Sequence, residues 1–370
     1  MKHNIVKRFM AASIIAMSLV TTGCSIPKPV ERVLPKSFVD IFSDEEIVVA
    51  DKDETNSYIY NRLTSDEQIL YDKLLVAFED FEPEVETNVD NDEIETVYEA
   101  IMADRPEMFY VSGYVFDNTV IYPNYMYTED EVTEYMNQID STTNKWLQGI
   151  DLNTATQYEI SKYCFEQVID NVKYVKESET NQDLYDSIIL GEGVSSSYTA
   201  AYVYMLQKCG ITAVAAKGIL AEEEHTWAIS IINGQVYATD VMNGDYSYID
   251  ADGNDVYMTD YCCLNMVPAA AKNYNPYTLF ADITYESTDA NYFAKNGTLL
   301  EGYDENKIKE IFDTELAAGN NVIKLAFTSQ SAMETALFQL RDAGRLSLMC
   351  DNTTAGFLNS EQFYSITIIL

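Results

Sequence analysis

His225-Thr226-Trp227-Ala228-Ile229-Ser230-Ile231-Ile232-Asn233-Gly234-Gln235-Val236-Tyr237-Ala238-Thr239-Asp240 reads as two β-strands joined by a two-residue turn. Asn-Gly is the residue pair that a type I′ turn favours, because both central positions need a positive φ. Such a turn sets Ile232 opposite Gln235, and the register runs back to Trp227 opposite Asp240. His225 lies two residues from Trp227 and so falls on the same face as Asp240. Diagonal neighbours sit roughly 7–8 Å apart, a span that long side chains bridge. A carboxylate that holds one ring nitrogen fixes the tautomer and leaves the other nitrogen as a base. A bulge would send the two residues to opposite faces.

Upstream, Gly191-Glu192-Gly193-Val194-Ser195-Ser196-Ser197-Tyr198 ends an irregular stretch and opens a helix that runs to Lys208. A nucleophile at a helix start benefits from the positive end of the dipole and from backbone N–H groups that can hold an oxyanion. The competing reading is simpler: Ser195 is the N-cap, because serine is a preferred cap. Gly210 ends this helix, and three strands follow over 211–220, 225–232 and 235–241.

Around this centre the chain divides into a leader, a tether and three folded blocks. Residues 1–23 read as a lipoprotein signal peptide, with Lys2, Lys7 and Arg8 ahead of an apolar stretch from Phe9 to Val20. That stretch is short for a membrane span. Val20-Thr21-Thr22-Gly23-Cys24 resembles a lipobox, in which Cys24 carries the lipid; Thr21 stands where Leu is preferred. Residues 24–60, with Pro27, Pro29, Pro35 and Asp44-Glu45-Glu46, form a flexible acidic tether. Residues 61–150 form an α+β domain, with capping boxes at Thr64 and Thr128. Residues 151–285 hold the helix and hairpin above. Residues 286–370 form a small α+β domain with an Asn296-Gly297 hairpin and strands at 346–350 and 363–370.

The chain of 370 residues holds 60 acidic against 23 basic residues, a formal charge of −37. That is a poor match to nucleic acid, whose phosphates demand cations. The two histidines are His3 and His225, which argues against a zinc site built on several histidines. Asp90-Asn91-Asp92-Glu93 and Asp250-Ala251-Asp252-Gly253 lack the spacing of a calcium loop and read as a solvated loop and a hairpin turn. No metal and no cofactor are expected. Cys164 and Cys209 read as buried thiols, and Cys262-Cys263 as unpaired.

Gly193-Val194-Ser195-Ser196-Ser197-Tyr198-Thr199, Gly210-Ile211, His225-Thr226-Trp227 and Asp240 together resemble the transglutaminase-like domain of bacterial surface proteins. The resemblance extends to Asp104-Arg105-Pro106-Glu107-Met108-Phe109-Tyr110 and to the helix near 158–174. It implies an α+β fold with a papain-like core and a Cys-His-Asp triad. By that resemblance Ser195 stands at the nucleophile, His225 and Asp240 complete the triad, Gln182 is an oxyanion candidate and Trp227 a cleft aromatic. Ser195 replaces the family's Cys, Ser197 its Gly, Ala228 its Asn, and Met242-Asn243 its Thr-Trp.

A thiol ionises beside an imidazole at a helix end, whereas a hydroxyl needs concerted proton removal and a tightly placed oxyanion hole. The expectation is therefore a membrane-anchored surface lipoprotein, held by a lipid on Cys24. Its transglutaminase-like domain is non-catalytic or weakly active and binds a peptide, cell-wall fragment or protein partner. The alternative is an active Ser-His-Asp peptidase or amide acyl-transferase acting on peptide or cell-wall amides.

Overall fold

Thr64 and Glu67 close a reciprocal capping box, and α1 (Ser65–Glu79) starts there. The computed structural model describes residues 58–176, 182–249, 255–350 and 355–370, which all belong to the unit Val49–Leu370. The leader, Cys24 and most of the tether lie outside the described residues, as does the Asp250–Gly253 turn.

Asp90 and Glu93 form a second box that opens α2 (Asn91–Asp104). The sequence reading of this segment as a solvated loop therefore gives way to a helix start, where a side-chain oxygen on the first amides is worth about 1 kcal/mol. Strands β1 (Val111–Asp117) and β2 (Val120–Tyr125) pair antiparallel, with the two-residue strand Val85–Glu86 on the far side of β2. The Thr128 box, with Glu131, opens α3 (Glu129–Trp146) as its sequence requires.

The central layer is built from α4 (Gln157–Asn171), α5 (Ser195–Lys208) and an antiparallel sheet. The strands are β3 (Ala213–Leu220), β4 (Glu223–Ile232), β5 (Gln235–Thr239) and a short β6 (Asn275–Pro276), in the order β6-β3-β4-β5. Tyr198, Ala201, Tyr202, Val203, Met205 and Leu206 of α5 are buried between α4 and the sheet. Burying a side chain such as Val203, Met205 or Leu206 contributes about 1.5–3 kcal/mol. Tyr202 is buried without stranding its hydroxyl, which lies 2.8 Å from Ser161 Oγ on α4.

The C-terminal sheet holds β7 (Leu299–Leu300), β8 (Val322–Phe327), β9 (Gly356–Ser360) and β10 (Ser365–Ile369), in the order β7-β8-β10-β9. Helices α6 (Glu305–Ala317) and α7 (Gln330–Leu337) pack on it. Two expectations fail here. Asn296-Gly297 is not a hairpin turn: it ends the short helix Tyr292–Lys295, with Gly297 at φ 69°, and the strand after it pairs parallel with β8. Residues 345–348 form a 3-10 turn rather than a strand, because Leu346 anchors it and Leu348 faces outward. Antiparallel and parallel pairing within mixed α+β layers thus define the class of the fold.

Candidate functional site

The β4–β5 hairpin has the register its turn dictates. Ile232 faces Gln235, Ser230 faces Tyr237 and Ala228 faces Thr239. Asn233 and Gly234 have φ of 51° and 76°, as a type I′ turn requires. One step beyond the last pair, the chain leaves the sheet at Asp240, which N-caps the short turn Val241–Gly244.

His225 Nε2 lies 2.7 Å from Asp240 Oδ2. The carboxylate side chain is 0% exposed and the imidazole side chain 8%. Asp240 Oδ1 accepts the Asn243 amide N–H at 3.1 Å. Oδ2 also accepts Asn243 Nδ2 at 2.6 Å and the Tyr274 hydroxyl at 2.6 Å. Burial works to raise the pKa of this carboxyl. It is outweighed by the charge of His225 and by hydrogen bonds from His225, Tyr274 and Asn243, so Asp240 sits below its ordinary value. The anion holds Nε2–H of the ring, which leaves Nδ1 as the lone-pair nitrogen.

The helix bearing Ser195 is placed against this pair by its own chain. Gly191, at φ 69°, ends the wide turn Asp186–Leu190. Glu192–Gly193 then pairs with Lys173–Tyr174 before α5 begins. The N-cap is Val194, which offers no side-chain oxygen to the first-turn amides. Ser195 is therefore the first helical residue and not the cap, and its hydroxyl is not consumed in capping. Thr199 Oγ1 donates to the Thr226 carbonyl at 3.1 Å. Thr199 lies one turn along the same helix face as Ser195, and Thr226 follows His225, so the helix start and the imidazole strand are adjacent.

Among the described residues, no hydrogen bond joins the Ser195 hydroxyl to the imidazole. Ser196, its neighbour, donates instead to the Gln182 carbonyl at 2.7 Å, with Gln182 Oε1 at 3.2 Å. Gln182 is thus brought to the helix start. Trp227 is not in an open cleft. It is 0% exposed, and its ring packs 5.0 Å from the ring of Tyr274.

Sequence reasoning missed two members of the site. Asn243 had a signal in its position three residues after Asp240, the spacing of an N-cap bond. Tyr274 had none, being one of 28 tyrosines, 34 residues away. A third feature is the loop before the helix, where Asp183 and Asp186 cap one another's backbone amides. Burial first, and then the charge of Asp186, push Asp183 up to about 7. A groove of about 730 Å³ lies on the far side of this loop, lined in part by Glu134, Gln138, Lys145 and Ile188. Its lining includes no histidine. Cys164, Cys262 and Cys263 are buried free thiols, and Cys209 is half-buried.

No family model matches the chain, and no curated protein matches it. Among solved structures it is similar to a TGase, at 11% identity and a TM-score of 0.29 over 46% of this chain and 53% of that one. It is also similar to a candidate cysteine protease from Cytophaga hutchinsonii, at 14% identity and a TM-score of 0.25 over 36% and 47%. A candidate protease from Parabacteroides distasonis follows at 10% and 0.23, over 39% and 34%. The chain spans about half the length, or less, of these structures.

Proposed function

We propose that this protein is a surface lipoprotein, anchored through Cys24, whose residues 151–285 form a transglutaminase-like module with a papain-like core. The module holds a peptide, a cell-wall fragment or a protein partner against the start of α5, with slow chemistry at most. One observation carries this reading. The base is assembled, with His225 held on a buried anionic Asp240, while the Ser195 hydroxyl makes no hydrogen bond to the ring. A serine is a weak nucleophile until a base takes its proton as it attacks, and a triad without its nucleophile loses on the order of 10⁶ in rate in the best-studied case.

The intact His–Asp pair supports a second reading, a working Ser-His-Asp hydrolase or acyl-transferase. In that case binding of substrate draws Ser195 and His225 together, as catalytic hydrogen bonds often tighten only in the complex. One experiment separates the two and checks the anchor. Wild type, His225→Ala and Cys24→Ala are treated with a fluorophosphonate and partitioned between detergent and water. The binding reading expects no label on Ser195 in any of them, with only Cys24→Ala moving to the aqueous phase. A Ser195 adduct that disappears in His225→Ala establishes the hydrolase instead. Equal partition of wild type and Cys24→Ala into water removes the lipid anchor.

A further inference from the structure

Asp240 Oδ2 receives three donors at once: His225 Nε2 at 2.7 Å, Asn243 Nδ2 at 2.6 Å and the Tyr274 hydroxyl at 2.6 Å. We propose that Tyr274 is a positioning residue of this site, fixing the carboxylate that orients His225, and that the tip of the C-terminal hairpin serves to hold it there. The proposal rests on His225 being the base of the site, not on whether Ser195 reacts.

Three donors on one oxygen divide its charge. Each bond is weaker than it would be alone, so what Tyr274 takes from Asp240 is withheld from the imidazole. Water cannot replace the hydroxyl, since Asp240 is fully buried and Tyr274 nearly so. The ring of Tyr274 also packs on the site, 5.0 Å from Trp227 and 6.1 Å from His225. Burial, and then the charge of Asp240, push the Tyr274 hydroxyl far above its ordinary value. It therefore remains a donor at neutral pH.

Tyr274 sits between the short helix Pro268–Ala271 and β6, on a segment that the last hairpin grips. Gln362 Nε2 donates to the Tyr274 hydroxyl at 3.5 Å. Asn273 Nδ2 donates to the Gln362 carbonyl at 2.8 Å, and the Tyr364 hydroxyl to the Ala269 carbonyl at 3.2 Å. Gln362 and Tyr364 lie between β9 and β10, and Tyr364 takes a left-handed φ of 51°. Strain of that kind persists where the surroundings over-determine it. Here the left-handed residue is the one that reaches back to the segment carrying Tyr274. The C-terminal sheet, which has no chemical motif of its own, thus has a defined task.

Few other titratable groups face the pair. The Cys263 thiol beside Asp240 is pushed far up by burial, and then by Asp260 and Asp240, and is uncharged. Asp260 is neutralised by Lys324 at 2.6 Å. On the strand side, Glu224 is exposed and accepts the Tyr277 hydroxyl at 3.0 Å. Lys217, opposite Thr226, is also exposed.

Removing the Tyr274 hydroxyl concentrates charge on Asp240, which favours the imidazolium and raises the titration midpoint of His225. Making the hydroxyl more acidic does the reverse. The test is the proton NMR titration of the imidazole in the full chain. The chain has two histidines, so the His225 signal is the one absent from His225→Gln. Tyr274→Phe is expected to raise the midpoint by about one pH unit, the size a lost charge-assisted hydrogen bond gives. Difluorotyrosine placed at position 274 keeps the shape of the ring and is expected to lower the midpoint, and it decides the matter if the Phe variant does not fold. A midpoint that stays put with difluorotyrosine, or shifts of the opposite sign, overturns the proposal. Because the midpoint is read without any reaction at Ser195, that failure is separate from a failure of the binding reading.

Discussion

Asp240 and Asp104 are both fully buried carboxyls, and their neighbours send them in opposite directions. At Asp240, His225 and two further side-chain donors outweigh burial, and the group stays anionic. At Asp104 burial wins. Arg105, the Tyr71 hydroxyl and the amides of Ile59 and Tyr60 offset it only in part, and the carboxyl is pushed up to about 7. The first arrangement gives His225 a permanent partner. The second costs stability near neutral pH. The native state holds the Asp104 proton more tightly than the unfolded chain, whose value is near 3.9. The contribution of Asp104 is therefore fully present below pH ~4 and is lost as pH rises through about 7. Asp104→Asn, which stays neutral, should gain on the wild type across that window by up to about 4 kcal/mol. Urea unfolding of both proteins at pH 4.5 and pH 8 measures the gap between them. A gap that does not change with pH contradicts the assignment.

At the scale of elements, local rules wrote what the sequence could be read for. The type I′ turn at Asn233-Gly234 fixed the β4–β5 register, and hence the shared face of His225 and Asp240. The boxes at Thr64 and Thr128 fixed two helix starts. What could not be read was decided by tertiary partners. Nothing near Tyr274 marks it as a donor to Asp240, because the bond crosses from one segment to another. Val194 carries no capping group, so Ser195 seemed a better cap than first helical residue. Residues 345–348 have strand-like composition, yet one buried leucine and one exposed leucine suit a turn on the surface.

Gly218 shows how tightly the elements fit. It faces His225 on β4 and pairs with Pro276 on β6. A Cβ there would collide with the Asn275 carbonyl oxygen and with the backbone of Pro276. Both are main chain, so β6 would have to move, and with it the adjacent Tyr274. Gly218→Ala is expected to lose about 1–3 kcal/mol of stability, as overpacked sites do. An unchanged urea midpoint would mean that β6 yields freely and does not clamp the site.

At the scale of the whole molecule, the described residues form one unit in which the central sheet and the C-terminal hairpin both bear on one base. The central sheet carries His225 and leads into Asp240, and the last hairpin buttresses Tyr274. On the proposed reading, the start of α5 and the His225–Asp240 pair are arranged for an anionic nucleophile that serine cannot supply. Ser195→Cys tests it most directly, through the pH dependence of iodoacetamide alkylation at position 195, with Ser195→Cys/His225→Ala as the control. A helix start and a nearby imidazolium both favour a thiolate. The expected result is a reactive plateau that persists well below the ordinary thiol value of ~8.5 and vanishes in the control. Alkylation that follows an ordinary thiol curve in both proteins would contradict the claim, because the base would then not be assembled toward position 195.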